Sequence, residues 1–142
     1  MPVKQFNGSA NEVEMAFYDA ISRGDLESLM ALWAEDEEIV CIHPNSPRLI
    51  GHAAIRASWE TIFENGSVHI HTTALHAVHN VLTAVHSLIE LFHHANAPEQ
   101  DLHIIATNVY IKTPRGWRIS CHHASVAAGK APKEASKSSV LH

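Results

Sequence analysis

The stretch GWRISCHHAS, from Gly116 to Ser125, ends in two adjacent histidines, His122 and His123. Imidazole titrates near neutrality and binds metals through either nitrogen, so such a pair suits a metal site, a pocket wall or a strand end. In a strand, alternate residues face one side. Trp117, Ile119, Cys121, His123 and Ser125 then share an apolar face, while Arg118, Ser120, His122 and Ala124 share a more polar one. The two imidazoles point opposite ways and do not readily ligate one ion. This alternation turns His123 toward the protein interior as a pocket-lining candidate and puts His122 on the outer face. His69 and His71 share a strand face at about 6.5–7 Å, an acceptable spacing for two ligands. A catalytic zinc needs three protein ligands, and the chain has no H-E-x-x-H helix and no cysteine pair, so no metal is expected. The chain has 13 histidines in all, eight of them between His69 and His103. They form either a titrating interface or neutral groups in a hydrogen-bonded sheet. The run Glu35, Asp36, Glu37, Glu38 reads as a solvated helix end with Asp36 capping the loop, and Arg56 as a surface ion pair or an anion contact.

Elements must hold these groups in place. Ser9 and Glu12 make a capping box ahead of the helical stripe Val13, Ala16, Phe17, Ala20 and Ile21, and Gly24 stops that helix. Asp25 caps a second helix with the stripe Leu26, Leu29, Met30 and Trp33. A short strand, IVCIH, ends at Pro44 and Pro47. A third helix begins near Gly51, carries Ile55, Trp59, Ile62 and Phe63 inward, and ends at Asn65-Gly66. The second half holds four long segments rich in β-branched residues, with turn signals between them and a bend at Asn80. The expected fold class is α+β, with three N-terminal helices packed on one face of a strongly curved, mainly antiparallel sheet. Such a sheet cups a cavity, a usual place for a small ligand. Residues 1–8 read as an arm, 9–128 as one domain, and 129–142 as a disordered tail of small, polar and charged residues.

The chain has 142 residues, 46% of them hydrophobic, with a net charge of -5 when histidine is neutral. Residues 1–127 carry 7 basic and 14 acidic side chains, a balance of -7, which disfavours nucleic acid as a partner. The amino terminus lacks an apolar signal core, and no apolar run reaches the ~18 residues of a membrane span. Reduced cysteines Cys41 and Cys121 in apolar contexts fit a cytoplasmic protein, and no phosphate loop or dinucleotide fingerprint asks for an organic cofactor.

Three stretches, GDLESLMALWAEDEEIVCIHP, LIGHAAIRASWETIF and NVYIKTPRGWRISCHHAS, resemble the SnoaL-like branch of the nuclear-transport-factor-2-like superfamily, over roughly residues 10–127. The resemblance implies the cystatin-like cone and, often, an outer sheet face that dimerises. It implies little about function, because the superfamily holds isomerases, cyclases, dehydratases, hub domains and binding modules. The ketosteroid isomerases of this superfamily use a helix tyrosine, an aspartate before a proline and a strand aspartate. Aligned on the Gly24-Asp25 junction and on Gly116, those positions hold Phe17, His43 and Asn108, which speaks against steroid isomerisation.

What the resemblance does place is His43 as a general base and Asn108 as a hydrogen-bond partner for a ligand carbonyl. Phe17, Trp33, Trp59, Tyr110 and His123 are the expected ligand-binding wall, and Asp36 occupies a position where the family often keeps an acid. Each has a plainer role beside it: a strand-end histidine, a satisfied core amide, or core aromatics. The expected function is binding of a small apolar organic molecule, with cofactor-independent isomerase, dehydratase or cyclase chemistry by proton transfer. The alternative is a non-catalytic binding or assembly domain whose cavity is filled by Phe17, Trp33 and Trp59. In either case the protein is expected to be a homodimer through the outer sheet face.

Overall fold

A computed structural model describes residues 8–66, 68–92 and 103–129. The expected tail beyond Gly129, the arm up to Asn7 and the pair His93-His94 lie outside them. Helix α1 spans Ala10–Arg23; Ser9 Oγ accepts the Glu12 N–H, and Gly24, at φ 63°, turns the chain out in the left-handed conformation. Asp25 caps the short α2, Leu26–Met30, by accepting the Ser28 N–H. Strands β1, Val40–Ile42, and β2, Leu49–Ile50, form a small hairpin that leads into α3, His52–Glu64. The two-residue β2 is an addition to the expected elements. Four long strands follow: β3 Ile70–His79, β4 Thr83–Phe92, β5 Ile104–Thr113 and β6 Gly116–Val126. Asn80 makes the turn between β3 and β4, its Oδ1 accepting the N–H groups of Leu82 and Thr83.

The six strands form one sheet in the order β2-β1-β6-β5-β4-β3. All neighbours are antiparallel except β1 and β6. The sheet bends at two irregularities. In β3 the register shifts between Thr73 and His76, with Ala74 at φ 56°. In β6 the register shifts between the pairs Val109–Cys121 and Tyr110–Ile119, leaving Ser120 unpaired. A bulge of this kind sharpens twist and curvature. On one side of it the Ile119 N–H donates to Leu32 C=O and the Ala34 N–H to Ile119 C=O; on the other, Cys121 to His123 pair with β1.

The helices fill the concave face. Phe17 lies at the centre of their packing, edge-on to Trp33 at 6.4 Å and to Trp59 at 5.8 Å. Val13, Ile21, Leu29, Ile55 and Ile119 close around them, all fully buried or nearly so. Among the described residues no helix is long and apolar enough to cross a membrane.

Candidate active site: a cavity with a carboxyl and two imidazoles

The bulge at Ser120 decides which histidine enters the cone. Ser120 and Cys121 both turn outward, so the alternation restarts one residue later: His122 and Ala124 face inward, and His123 is exposed. The expected inward placement of His123 is thereby corrected: the histidine of the pair that lines the cavity is His122. Strict two-residue alternation holds only while every residue is paired.

A cavity of about 200 Å³ lies between α1, α3 and the sheet. Its polar wall is His43, Glu90 and His122; its apolar wall includes Trp59, Ile62, Val68 and Phe92. Of the expected site residues, His43 and Trp59 line it. Phe17, Trp33 and Tyr110 are buried in the packing and are not among its wall residues. Asn108 lies behind the wall, where it organises the polar groups.

Those groups form one connected network on the concave face. Inward positions of β4 supply His86 and Glu90, β5 supplies Asn108 and Tyr110, β6 supplies His122, and α1 supplies Glu14 and Tyr18. His122 Nδ1 stands 2.6 Å from Asn108 Oδ1. The Asn108 amide nitrogen donates to the Tyr18 hydroxyl at 3.1 Å and to Glu14 Oε2 at 3.2 Å. The Tyr18 hydroxyl in turn donates to Glu90 Oε2 at 2.7 Å. Glu14 Oε2 also accepts from Tyr110 at 2.6 Å and faces His86 Nδ1 at 3.0 Å. A buried polar group without partners costs about 1–3 kcal/mol, which is why these side chains occur as a set.

The network sets the electrostatics of the cavity. Burial raises the Glu90 carboxyl from 4.5 to about 7, helped by nearby Glu14 and opposed by the Tyr18 hydrogen bond. Burial pushes His122 from 6.5 down to about 3, with smaller contributions from His43 and His123. Burial also lowers His43. Both tyrosines are held protonated, first by burial and then by neighbouring carboxyls. The cavity therefore holds two neutral imidazoles and a carboxyl that exchanges its proton near neutral pH, a combination suited to general acid–base chemistry. Cys41, pushed up to about 12 by burial, is a packed thiol rather than a nucleophile.

His43 owes its position to the end of β1 and to α3. Its Nε2 is 2.9 Å from Ser58 Oγ, whose hydroxyl donates to Ile55 C=O at 2.7 Å, and its ring packs edge-on to Trp59 at 4.8 Å. Outside the cavity, Asp36 caps its loop by accepting the Glu38 N–H, and Arg56 pairs with Glu27 at the surface. Among the described residues no three His, Cys, Asp or Glu side chains gather as a metal site.

Glu14, Tyr18, His86, Glu90 and His122 are the site residues that sequence reading misses. Tyr18 is adjacent to the Phe17 stripe and is expected to point away, yet the first helix is flanked by sheet on that side too. For Glu90 a signal exists: a lone acid in the apolar run SLIELF, at an inward position of its strand.

The SnoaL-like domain family matches residues 10–129 of the chain. A solved structure from Thiobacillus denitrificans, provisionally assigned as a calcium/calmodulin-dependent protein kinase type II association domain, is 33% identical. The match covers 89% of this chain and 99% of that one, with a TM-score of 0.78. A protein from Streptomyces avermitilis, provisionally assigned as a dehydratase of the NTF2-like family, is 30% identical over 84% of this chain and 94% of its own, with a TM-score of 0.75. An NTF2-like protein from Novosphingobium aromaticivorans shares the cystatin-like fold at 17% identity, over 84% of this chain and 80% of its own, with a TM-score of 0.68. No curated protein matches.

Proposed function

This chain belongs to the SnoaL-like domain family, and from that premise we propose that its cavity binds a small, largely apolar organic molecule and moves a proton on it without a cofactor. The observation that carries this reading is Glu90: a buried carboxyl, raised to about 7, on the wall of an apolar cavity. A group that titrates near the working pH is an efficient proton donor and acceptor in turn. His43 faces the same space as a second base, and Asn108 serves by orienting His122 and Tyr18. Isomerisation, dehydration and cyclisation all need such a pair. The likeness to a protein assigned as a dehydratase supports the class.

The test is a thermal-shift screen of small molecules against the wild type, His43→Ala and Glu90→Gln, since a ligand that binds the folded state raises its melting temperature. Hits are then incubated in D₂O and weighed by mass spectrometry. The expected result is hits weakened by His43→Ala, and deuterium uptake with the wild type that Glu90→Gln reduces by at least about 100-fold. Hits that take up no deuterium with the wild type would leave a binding module in place of an enzyme, and uptake unchanged in Glu90→Gln would remove Glu90 as the proton-transfer group.

A second reading is an assembly domain, favoured by the 33% identity to a protein assigned as an association domain. The outer sheet face carries Val78 and Ile105, each more than a third exposed. A homodimer across that face is compatible with catalysis inside the cone. Light scattering at micromolar concentration should report a dimer, and a monomer would remove this reading.

A further inference from the structure

We infer that the ligand of the cavity is a neutral molecule of about one ring that carries a hydroxyl group and donates it into the wall. This rests on the reading of the cavity as a ligand site and narrows what fits there. Each of the three polar wall residues has one polar atom committed within the protein. Glu90 Oε2 accepts from Tyr18 at 2.7 Å. His122 Nδ1 meets Asn108 Oδ1, and the Asn108 amide group is fixed by its own donation to Glu14 and Tyr18. His122 therefore donates through Nδ1, and its Nε2 is a bare acceptor. Ser58 gives its hydroxyl hydrogen to Ile55, so His43 donates through Nε2 to Ser58 and keeps Nδ1 as a bare acceptor.

Among the described residues, Glu90 Oε1, His122 Nε2 and His43 Nδ1 have no hydrogen-bond partner, although Glu90 and His122 are only 2% and 3% exposed. All three accept hydrogen bonds; the one other polar side-chain atom of the wall, Trp59 Nε1, is an unpartnered donor enclosed in the packing, and the remaining wall residues are apolar apart from backbone. A ligand that only accepts, such as a ketone, meets lone pairs at each of the three polar groups left open to the cavity once Glu90 has lost its proton, the Trp59 N–H being enclosed. A carboxylate or phosphate finds no lysine or arginine among the wall residues. An ammonium group must shed its water into the same apolar surroundings that keep both imidazoles uncharged. A hydroxyl supplies the missing hydrogen at a lower desolvation cost. Size sets the rest: an apolar cavity of about 150 Å³ is known to hold benzene, so about 200 Å³ suits one substituted ring.

The experiment is an NMR titration of the whole chain at pH 8 with five probes of one shape: cyclohexanol, cyclohexanone, methylcyclohexane, cyclohexanecarboxylate and cyclohexylammonium. Cyclohexanol should bind the wild type at least about tenfold more tightly than each of the others, the worth of one net hydrogen bond. Glu90→Gln turns an amide donor toward the cavity, so the alcohol-to-ketone ratio should fall toward one. His43→Leu should weaken cyclohexanol and spare methylcyclohexane; circular dichroism checks that both variants are folded. Binding of the ketone, the alkane or a charged probe as tightly as the alcohol overturns the inference, as does a ratio unmoved in Glu90→Gln. If none of the five binds, the ligand-site reading of the cavity falls with it.

Discussion

Glu90 and His122 pull the pH dependence of stability in opposite directions. Glu90 is raised from 4.5 to about 7, so between those values the folded chain holds a proton that the unfolded chain has released. Its contribution is full below about pH 4.5 and is lost as the pH rises through 7. His122 is lowered from 6.5 to about 3, so its neutral form favours folding above pH 6.5 and that advantage is lost as the pH falls toward 3. Removing the charge at Glu90 separates the two. Urea denaturation should find that Glu90→Gln gains about 3 kcal/mol on the wild type between pH 4.5 and pH 8, an order-of-magnitude figure from the size of the shift. Parallel stability curves for the two proteins would mean that Glu90 is not buried as described. Asn108 is a different case, because its cost is geometric. Asn108→Leu strips partners from His122, Glu14 and Tyr18 together, and unfolding should be easier by about 2–4 kcal/mol at any pH between 6.5 and 8.

At the scale of elements, two glycines place the helices that carry the site. Gly24 ends α1 at φ 63° in open surroundings, where an added Cβ would come no nearer than 4.0 Å to Phe63. Gly24→Ala should cost about 1 kcal/mol, the left-handed penalty alone. Gly51 begins α3 at φ 93°, and a Cβ there stands 3.0 Å from Glu37 Oε1, which also accepts the His52 N–H. Gly51→Ala should cost more, about 2–3 kcal/mol, since backbone strain adds to a displaced carboxyl. It should also weaken binding at the cavity, because α3 carries Ser58, Trp59 and Ile62. Melting temperatures of the two variants check the order; a Gly24→Ala variant less stable than Gly51→Ala would contradict it.

The whole molecule is a cone whose interior is apolar at one level and polar at another. Phe17, Trp33 and Trp59 pack the helices onto the sheet, and Phe17→Ala should cost about 3–5 kcal/mol through the cavity it leaves, a loss that urea denaturation measures directly. The polar network on the β4–β5–β6 floor then ties α1 to three strands by bonds that have direction as well as strength. Curvature comes from the irregularities in β3 and β6, and it opens the space that Glu90, His43 and His122 share. A flatter sheet would bring the helices down onto those side chains and leave no room for a ligand.

Much of this architecture is local in origin and so is readable along the chain. Caps at Ser9, Asp25 and Gly24, the helical stripes and the four β-rich segments depend on neighbours within a turn or a strand. His43 and Trp59 are legible as site candidates because a proline and a helical stripe mark them. The acid on the cavity wall is not, since Glu90 titrates as it does only when α1 and the sheet close over it. Nor is the choice between His122 and His123. One unpaired residue, Ser120, reverses the face of everything after it, and only the pairing of β6 with β5, β1 and the Leu32–Ala34 segment determines where that residue falls. The sequence by itself determined the three helices, the long strands and their order, because those follow from short-range periodicity, and its resemblance to the family implied the cone they build. The tertiary structure alone decided which polar groups meet, because burial and hydrogen bonding join residues as far apart as Glu14 and Tyr110.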